Sequence, residues 1–183
     1  MLDENFLAKL TILYVEDNNE LRTQITPLLE SKFKKVLVAT STQEAKEFFT
    51  KKEELDIIVC EAFIEGENSI DFLIEVRKNS SNLPFIFFTE EADVDILLTS
   101  LRQDVTGFFM KPLDLKQLLL RVEEVCKVKQ REDEIIDEQN EIAEYLKIIN
   151  KVAIVFIFDL DGTIVYANEF LKDILNCKDE EII

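Results

Sequence analysis

Histidine is absent from this chain of 183 residues. Its absence excludes a Ser-His-Asp or Cys-His catalytic centre, a histidine-ligated metal and a histidine phosphodonor within the chain. Cysteine is scarce as well, and Cys60, Cys126 and Cys177 lie too far apart to form a CxxC or other metal-ligand pattern. Scattered cysteines of this kind are typical of a reducing compartment, so we expect a cytoplasmic protein.

Positively charged residues are also few, and long apolar runs are absent. Lysine and arginine number 21 against 38 aspartates and glutamates, which gives a net charge of -17 with no local basic cluster. The longest apolar block, residues 152–158, is far shorter than the roughly 20 residues that cross a bilayer. The N-terminus lacks the basic start and apolar run of a signal peptide. We therefore expect neither nucleic acid nor a membrane as a partner.

What the sequence does contain is an alternation of short apolar runs with amphipathic stretches. The runs predict strands at 11–15, 36–39, 56–60, 84–88 and 106–109, and the stretches predict helices near 19–32, 42–53, 69–79 and 93–102. Runs that are apolar throughout indicate strands buried on both faces, as in a parallel sheet covered by helices. The prediction is an α/β fold with a doubly wound, five-stranded parallel sheet.

Polar residues follow four of these strands where each apolar run stops. They are Glu16 and Asp17 after the first strand, Glu61 after the third, Thr89 after the fourth and Lys111 after the fifth. Functional groups of a doubly wound sheet gather at the carboxyl ends of its strands. Paired carboxylates there suit Mg²⁺, and a lysine beside a hydroxyl can hold a phosphoryl group. The alternative is that each acid serves only as a helix N-cap.

Residues 9–125 resemble a receiver domain of the two-component response regulators, which has a flavodoxin-like fold. Asp17, Glu61, Thr89 and Lys111 follow one another at intervals of 44, 28 and 22 residues, close to the family pattern. In that family, the position of Glu61 holds an aspartate that accepts a phosphoryl group from a partner kinase. Thr89 matches the switch hydroxyl and Lys111 the lysine that contacts the phosphate.

The resemblance also implies a magnesium site and further switch residues. The acid pair Glu16 and Asp17, together with the residue at position 61, corresponds to the metal ligands. Phe108 falls on the aromatic switch position, three residues before the lysine, and Pro112 follows a peptide bond that is usually cis in the family.

Several residues depart from the family pattern around the phosphoacceptor. Glu61 replaces the aspartate and extends one methylene further, into the volume of the phosphoryl group. Glu90 adds a carboxylate where a small residue is usual, and Glu65 and Ser69 replace a proline and a glycine in the loop. We expect Glu61 to pair with Lys111 as a fixed phosphoaspartate mimic. A docking module without a switch, or a conventional phosphorylatable receiver, is the alternative.

A long helix is predicted from Asp114 to Asn150, because this segment contains no glycine or proline. Apolar residues recur every seven positions at Val128, Ile135, Ile142 and Ile149, and the companion positions 125, 132, 139 and 146 are apolar only at the ends. The helix over 115–150 is therefore predicted to join two copies of the chain in a homodimer. The alternative is a solvated helix with one stripe packed on its own domain.

The last segment supports two readings. "FDLDGTIV" matches the first motif of haloacid dehalogenase-like phosphatases, with Asp159 as nucleophile and Asp161 as acid/base, but too few residues follow to complete that site. An Asp-Gly turn between apolar strands also suits a plain hairpin. The continuation "YANEFLKDILNCKDEEII" resembles the start of a PAS domain, an α+β sensory or dimerisation module.

Together these patterns predict a receiver-like domain at 1–125, a signalling helix at 126–150 and the first part of a PAS domain at 151–183, within a longer signalling protein. The expected function is non-enzymatic signal relay. The expected partner is a sensor kinase or another signalling protein.

Overall fold

The computed structural model describes residues 2–51, 54–80, 82–89, 94–111 and 115–175, apart from the side chain of residue 172. The chain divides into two compact units, with the boundary between Gln130 and Arg131. Each unit is described by itself below. The predicted domain boundaries at 125 and 150 stay predictions.

The first unit alternates strands and helices. In chain order, its elements are α1 (Glu4–Leu7), β1 (Thr11–Val15), α2 (Asn19–Glu30), β2 (Lys35–Ala39), α3 (Thr42–Thr50), β3 (Ile57–Cys60), β4 (Phe63–Ile64), β5 (Glu67–Asn68), α4 (Ile70–Asn79), β6 (Phe85–Thr89), α5 (Val94–Arg102) and β7 (Gly107–Met110). The five predicted strands and the four predicted helices are all present, with ends that differ by up to three residues.

A five-stranded sheet runs through the middle of this unit, in the order β2-β1-β3-β6-β7 with every neighbouring pair parallel. The chain winds first to one side of β1 and then to the other, so the direction of winding reverses between β1 and β3. This confirms the predicted doubly wound α/β fold. A reversal of this kind leaves a crevice at the carboxyl ends of β1 and β3, where α/β sheets hold their functional groups.

Burial on both faces explains why the strand sequences are apolar throughout. Every residue of β1, β3 and β6 is buried. Alternate side chains of these strands enter two separate hydrophobic layers, so that Leu13 lies in one layer and Tyr14 in the other. The layer that contains Tyr14 also contains Leu118, Leu119 and Val122 from the long helix that follows the sheet.

Local sequence signals set the starts of α2 and α3. The side chain of Asn18 accepts hydrogen bonds from the backbone N–H groups of Glu20 and Leu21, and Ser41 caps α3 through the N–H of Glu44. These are the residue types that satisfy the free donors of a first helical turn. The predictions placed both helix starts within one residue of the observed ones.

Two elements of the first unit were not predicted. The first is the short helix α1, whose Leu7 is completely buried in the hydrophobic layer that contains Tyr14. A small hairpin of β4 and β5 follows β3, with a tight turn at Glu65 and Gly66, both at positive φ. Both elements are too short for hydrophobic periodicity to reveal them.

Helix α6 (Leu115–Val152) is 38 residues long and continues through the boundary between the units. The predicted start at Asp114 lies outside the described residues, and the observed end lies two residues beyond the predicted one. No helix among the described residues is long and apolar enough to cross a membrane.

The second unit continues from α6 with an antiparallel hairpin of β8 (Phe156–Phe158) and β9 (Ile164–Ala167), followed by α7 (Glu169–Leu175). Gly162 has a φ of 87°, as the predicted Asp-Gly turn requires. Cys177 and the last residues of the predicted PAS segment lie outside the described part of the chain.

Candidate functional site

A pocket of about 160 Å³ opens at the carboxyl ends of the strands. Its lining consists of Glu16, Asp17, Asn18, Glu61, Phe63, Thr89 and Lys111. All five polar residues predicted from the strand ends therefore meet there, because β1, β3, β6 and the residue after β7 deliver them to one edge of the parallel sheet.

Lys111 lines this pocket and bridges two of its carboxylates. Its Nζ donates hydrogen bonds to Oε2 of Glu61 at 2.5 Å and to Oε2 of Glu16 at 2.7 Å. The side chains are almost completely buried, at 7% exposed for Lys111, 7% for Glu61 and 1% for Glu16. The ammonium also lies over the ring of Phe88, 5.1 Å from its centre. The side chain of Lys111 is thus held from several directions.

The electrostatics of this bridge follow from burial and hydrogen bonding. Burial alone disfavours the ammonium, but the hydrogen bonds to Glu16 and Glu61 outweigh it and raise the pKa of Lys111 above its usual value. Burial raises the pKa of Glu16, and the nearby ammonium opposes that rise. Lys111 therefore stays charged at neutral pH, as the counterion of a buried acidic site.

The backbone and Ser69 hold Glu61 in place. Its Oε1 accepts hydrogen bonds from the backbone N–H groups of Ala62, at 2.7 Å, and Phe63, at 3.3 Å. Its carbonyl oxygen accepts one from the hydroxyl of Ser69 at 2.8 Å. Both carboxyl oxygens of Glu61 are therefore engaged, one by backbone donors and one by Lys111.

Asp17 is tied to the unpredicted hairpin. Its Oδ2 accepts a hydrogen bond from the backbone N–H of Glu65 at 2.8 Å. The side chain of Arg22 donates to the carbonyl oxygens of Glu16 and Asp17, at 2.8 and 3.0 Å, which fixes the loop after β1. The replacement of the family's proline by Glu65 thus supplies an N–H donor that proline lacks.

The fit of these residues to Mg²⁺ is incomplete. Carboxylate oxygens are the donors that Mg²⁺ prefers. However, Lys111 bridges two of the three predicted ligands, Glu16 and Glu61, and Asp17 bonds to the hairpin. Among the residues that the structure describes, no group of three or more acidic or cysteine side chains is placed to hold a metal. The arrangement does not fit a site in which all three carboxylates bind the ion.

Lys111, one of the three predicted switch residues, is described above, and the other two, Thr89 and Phe108, lie in different places. Thr89 is buried in the pocket wall, and its carbonyl oxygen accepts a hydrogen bond from the N–H of Lys111 at 2.7 Å. Phe108 does not line the pocket. Its half-buried ring packs against the core, 6.2 Å from that of Phe87. Glu90 and Pro112 lie outside the described residues.

Tyr14, Phe63 and Ser69 contribute to the site without having been predicted as members. The buried hydroxyl of Tyr14 lies 3.4 Å from Oε2 of Glu16. Burial is the main cause that raises the pKa of this tyrosine, so it remains protonated and can donate. A tyrosine among the aliphatic residues of the buried strand "TILYV" was the signal that could have revealed it.

Asp159 and Asp161 lie in the second unit, exposed, in the turn of the β8–β9 hairpin. The carboxylate of Asp159 accepts hydrogen bonds from the backbone N–H groups of Asp161 and Thr163, both at 3.0 Å. This is the local turn that aspartate commonly forms with its own backbone. Its geometry is that of a hairpin turn.

Comparison with known proteins bears on the first unit. The model of the response regulator receiver domain matches residues 12–123, well over half of the chain. The chain belongs to the response regulator receiver domain family. It is thereby a module of two-component signalling, and receiver domains interact with sensor histidine kinases and typically bind Mg²⁺ at their acidic pocket.

The two curated relatives described here are longer than this chain. Sensor kinase CckA of Brucella abortus is 33% identical over 117 residues, which cover 63% of this chain and 12% of that protein. The probable C4-dicarboxylate response regulator DctR of Halalkalibacterium halodurans is 24% identical over 141 residues, 74% of this chain and 60% of the relative. The chain thus matches less than two thirds of the length of each.

Solved structures share the fold of the first unit. A response regulator receiver domain from Clostridium thermocellum superposes with a TM-score of 0.61 at 22% identity, covering 66% of this chain and 97% of that one. The non-phosphorylated HemR receiver domain from Leptospira biflexa gives a TM-score of 0.59 at 29% identity, covering 64% and 94%. Both matches cover almost the whole of the compared receiver domain.

Proposed function

We propose that this protein relays a signal through a receiver unit that Glu61 holds in one conformational state, without phosphorylation of that position. Glu61 acts as a fixed mimic of a phosphorylated aspartate. The observation that carries this proposal is the bridge from Lys111 to Glu61 and Glu16. The ammonium that would contact a phosphoryl group already has the longer carboxylate side chain as its partner.

Phosphorylation of Glu61 is disfavoured by its contacts. A phosphodonor has to reach a carboxylate oxygen, but one oxygen of Glu61 accepts the N–H groups of Ala62 and Phe63 and the other binds Lys111. The extra methylene also moves the nucleophile, and a displacement of about 1 Å in an in-line site can cost roughly 100-fold in rate. A conventional phosphorylatable receiver is therefore the second candidate. A docking module without a switch is the third.

The output runs through α6. The helix packs on the sheet through Leu118, Leu119 and Val122, and its later turns expose a stripe of isoleucines. We propose that this exposed stripe joins two copies of the chain. The helix then transmits a conformational change to a PAS domain that begins at about residue 151. The partner is a sensor kinase or another signalling protein, and nucleic acid and membrane have no part in the relay.

A phosphatase built on the second unit is the remaining alternative. Asp159 would be its nucleophile, but both described hydrogen bonds of its carboxylate come from backbone donors of its own turn. A hydrolysis assay with a phosphomonoester tests this alternative. Activity that is lost in Asp159→Asn would establish the phosphatase and refute a purely non-enzymatic role.

Intact mass after incubation with acetyl phosphate and Mg²⁺ tests the proposal. We expect no added phosphoryl group on the wild type and one on Glu61→Asp. Glu67→Asp is the matched control, because it makes the same change at an exposed position of the hairpin and is expected to behave as the wild type. If neither the wild type nor Glu61→Asp is modified, the pocket is a docking surface. A modified wild type would show that the receiver is conventional.

A further inference from the structure

The exposed stripe of α6 consists of four residues on one face of the helix. Val128, Ile135, Ile142 and Ile149 recur every seven residues and are 48%, 54%, 58% and 42% exposed. An apolar residue every seventh position brings the same helix face to a partner along its whole length. A face of this kind on a long helix is typical of association with another helix.

We infer that this stripe packs against the same stripe of a second copy of the chain, with the two helices parallel and in register. This inference rests on the dimer of the proposed function and adds its orientation. The stripe and the companion positions 125, 132, 139 and 146 together form the contact seam of the helix. Two exposed polar residues at companion positions, Glu132 and Gln139, interrupt this seam and select the orientation.

In a parallel, in-register pair, each residue of the seam meets its own counterpart. The stripe isoleucines then meet isoleucines, and Gln139 meets the Gln139 of the second copy. Two glutamines can hydrogen-bond to each other, because each amide carries both donors and acceptors. The polar and apolar layers of the seam are therefore separated.

An antiparallel pair mixes these layers. There, the positions of Glu132 and Gln139 face the stripe positions of the partner, which are all valine or isoleucine. Each dimer would then bury two carboxylates and two amides against aliphatic side chains, which leaves their hydrogen-bonding groups unpaired. The same objection holds in any antiparallel register that keeps the stripe inside. The polarity of the seam thus selects the parallel arrangement.

The parallel pair has one unfavourable layer, in which Glu132 meets Glu132 of the second copy. Arg131 precedes it in the sequence and is exposed. In a parallel coiled coil, the residue before a seam position flanks the equivalent seam position of the partner, where charged residues form ion pairs. Arg131 therefore lies beside the partner's Glu132 and offsets part of the repulsion. The result is a dimer of limited strength that assembles in one register.

Disulfide crosslinking tests the orientation, with Cys177→Ser in every variant to remove the cysteine outside the described residues. Ile149→Cys crosslinks to itself only if the helices are parallel and in register. A mixture of Val128→Cys and Leu146→Cys proteins forms the mixed crosslink only if the helices are antiparallel, because a stripe position then faces a companion position of the partner. In the parallel pair, these two positions are 18 residues or about 27 Å apart, far beyond a disulfide's Cα separation of roughly 4–7 Å.

The outcomes separate the orientation from the dimer itself. We expect the symmetric crosslink at position 149 and no mixed crosslink. The mixed product would overturn the parallel arrangement while leaving the proposed dimer intact. A chain that remains monomeric by light scattering at all concentrations tested would overturn the dimer and this inference with it.

Sedimentation equilibrium provides a second test through the acidic layer. Glu132→Gln removes the like-charge pair and is expected to tighten the dimer roughly three- to tenfold, the range for unit charges about 6 Å apart at a partly hydrated interface. Asp137→Asn is the matched control, because Asp137 lies on the opposite face of α6. Equal affinity of the two variants would contradict the placement of Glu132 in the seam.

Discussion

Replacement of Lys111 by methionine is expected to destabilise the first unit strongly. The variant leaves the carboxyl groups of Glu16 and Glu61 buried without their shared counterion. Because both bonded oxygens lie within hydrogen-bonding distance of the same nitrogen, they are at most roughly 5 Å apart, and two unit charges at that distance repel by about 3 kcal/mol at an effective dielectric constant of about 20. Removal of one partner from a buried ion pair typically costs about 3–5 kcal/mol, in agreement with this magnitude.

The pH dependence of the Lys111→Met variant has a definite sign. Burial already raises the pKa of Glu16 in the folded protein, and loss of the ammonium raises it further. A carboxyl group whose pKa is higher in the folded state favours folding below its unfolded pKa, near 4.5, and loses that contribution as the pH rises through the folded pKa. The destabilisation is therefore expected to be smaller at pH 5 than at pH 7.5.

Urea unfolding followed by circular dichroism measures both effects. Lys46→Met is the matched control, because Lys46 pairs with Glu75 at the surface, with side chains 28% and 35% exposed. Such a pair contributes roughly 0–1 kcal/mol. A loss of stability in Lys111→Met no larger than that in Lys46→Met, or a loss that shrinks as the pH rises, would refute the buried bridge.

Three further predictions concern neighbouring groups. Ser69→Ala removes the donor to the carbonyl of Glu61 and is expected to cost about 1–3 kcal/mol in urea unfolding; no loss would contradict that hydrogen bond. Tyr14→Phe removes only the hydroxyl near Glu16 and is expected to cost about 0.5–1.5 kcal/mol in the same assay, and a stabilised variant would argue against the contact. Burial raises the pKa of Cys126 to about 12 and that of Cys60 further, so neither thiol should react with iodoacetamide at pH 8 in the native protein. Rapid labelling at either position, located by peptide mass mapping, would contradict their burial.

The sequence was sufficient to predict the sheet and the convergence of the site residues. Apolar runs such as "DIIVC" are long enough to indicate strands buried on both faces, and the strand order of a doubly wound sheet then brings Glu16, Glu61 and Lys111 together. The pairing of Glu61 with Lys111 was also anticipated, because the extra methylene shortens the distance to the lysine.

The other contacts of the site could not be predicted, because they leave no local pattern in the sequence. The hydrogen bond of Glu16 to Lys111 was not predicted, because no property of position 16 alone reveals that contact, and its role as a metal ligand stays a prediction. The hairpin that gives Asp17 its partner has strands of only two residues, with a turn at Glu65 that needs positive φ. A glutamate at positive φ is uncommon, so the residue at position 65 gave no indication of a tight turn.

In the proposed function, Glu61 holds the receiver in the state that phosphorylation would otherwise produce. Hydrogen exchange of the first unit tests it most directly, in the wild type, in Glu61→Asp, and in Glu61→Asp with an excess of acetyl phosphate and Mg²⁺. We expect hydrogen exchange in β6, α5 and β7 of the wild type to match that of the phosphorylated Glu61→Asp variant. A wild type that instead matches unphosphorylated Glu61→Asp would contradict it.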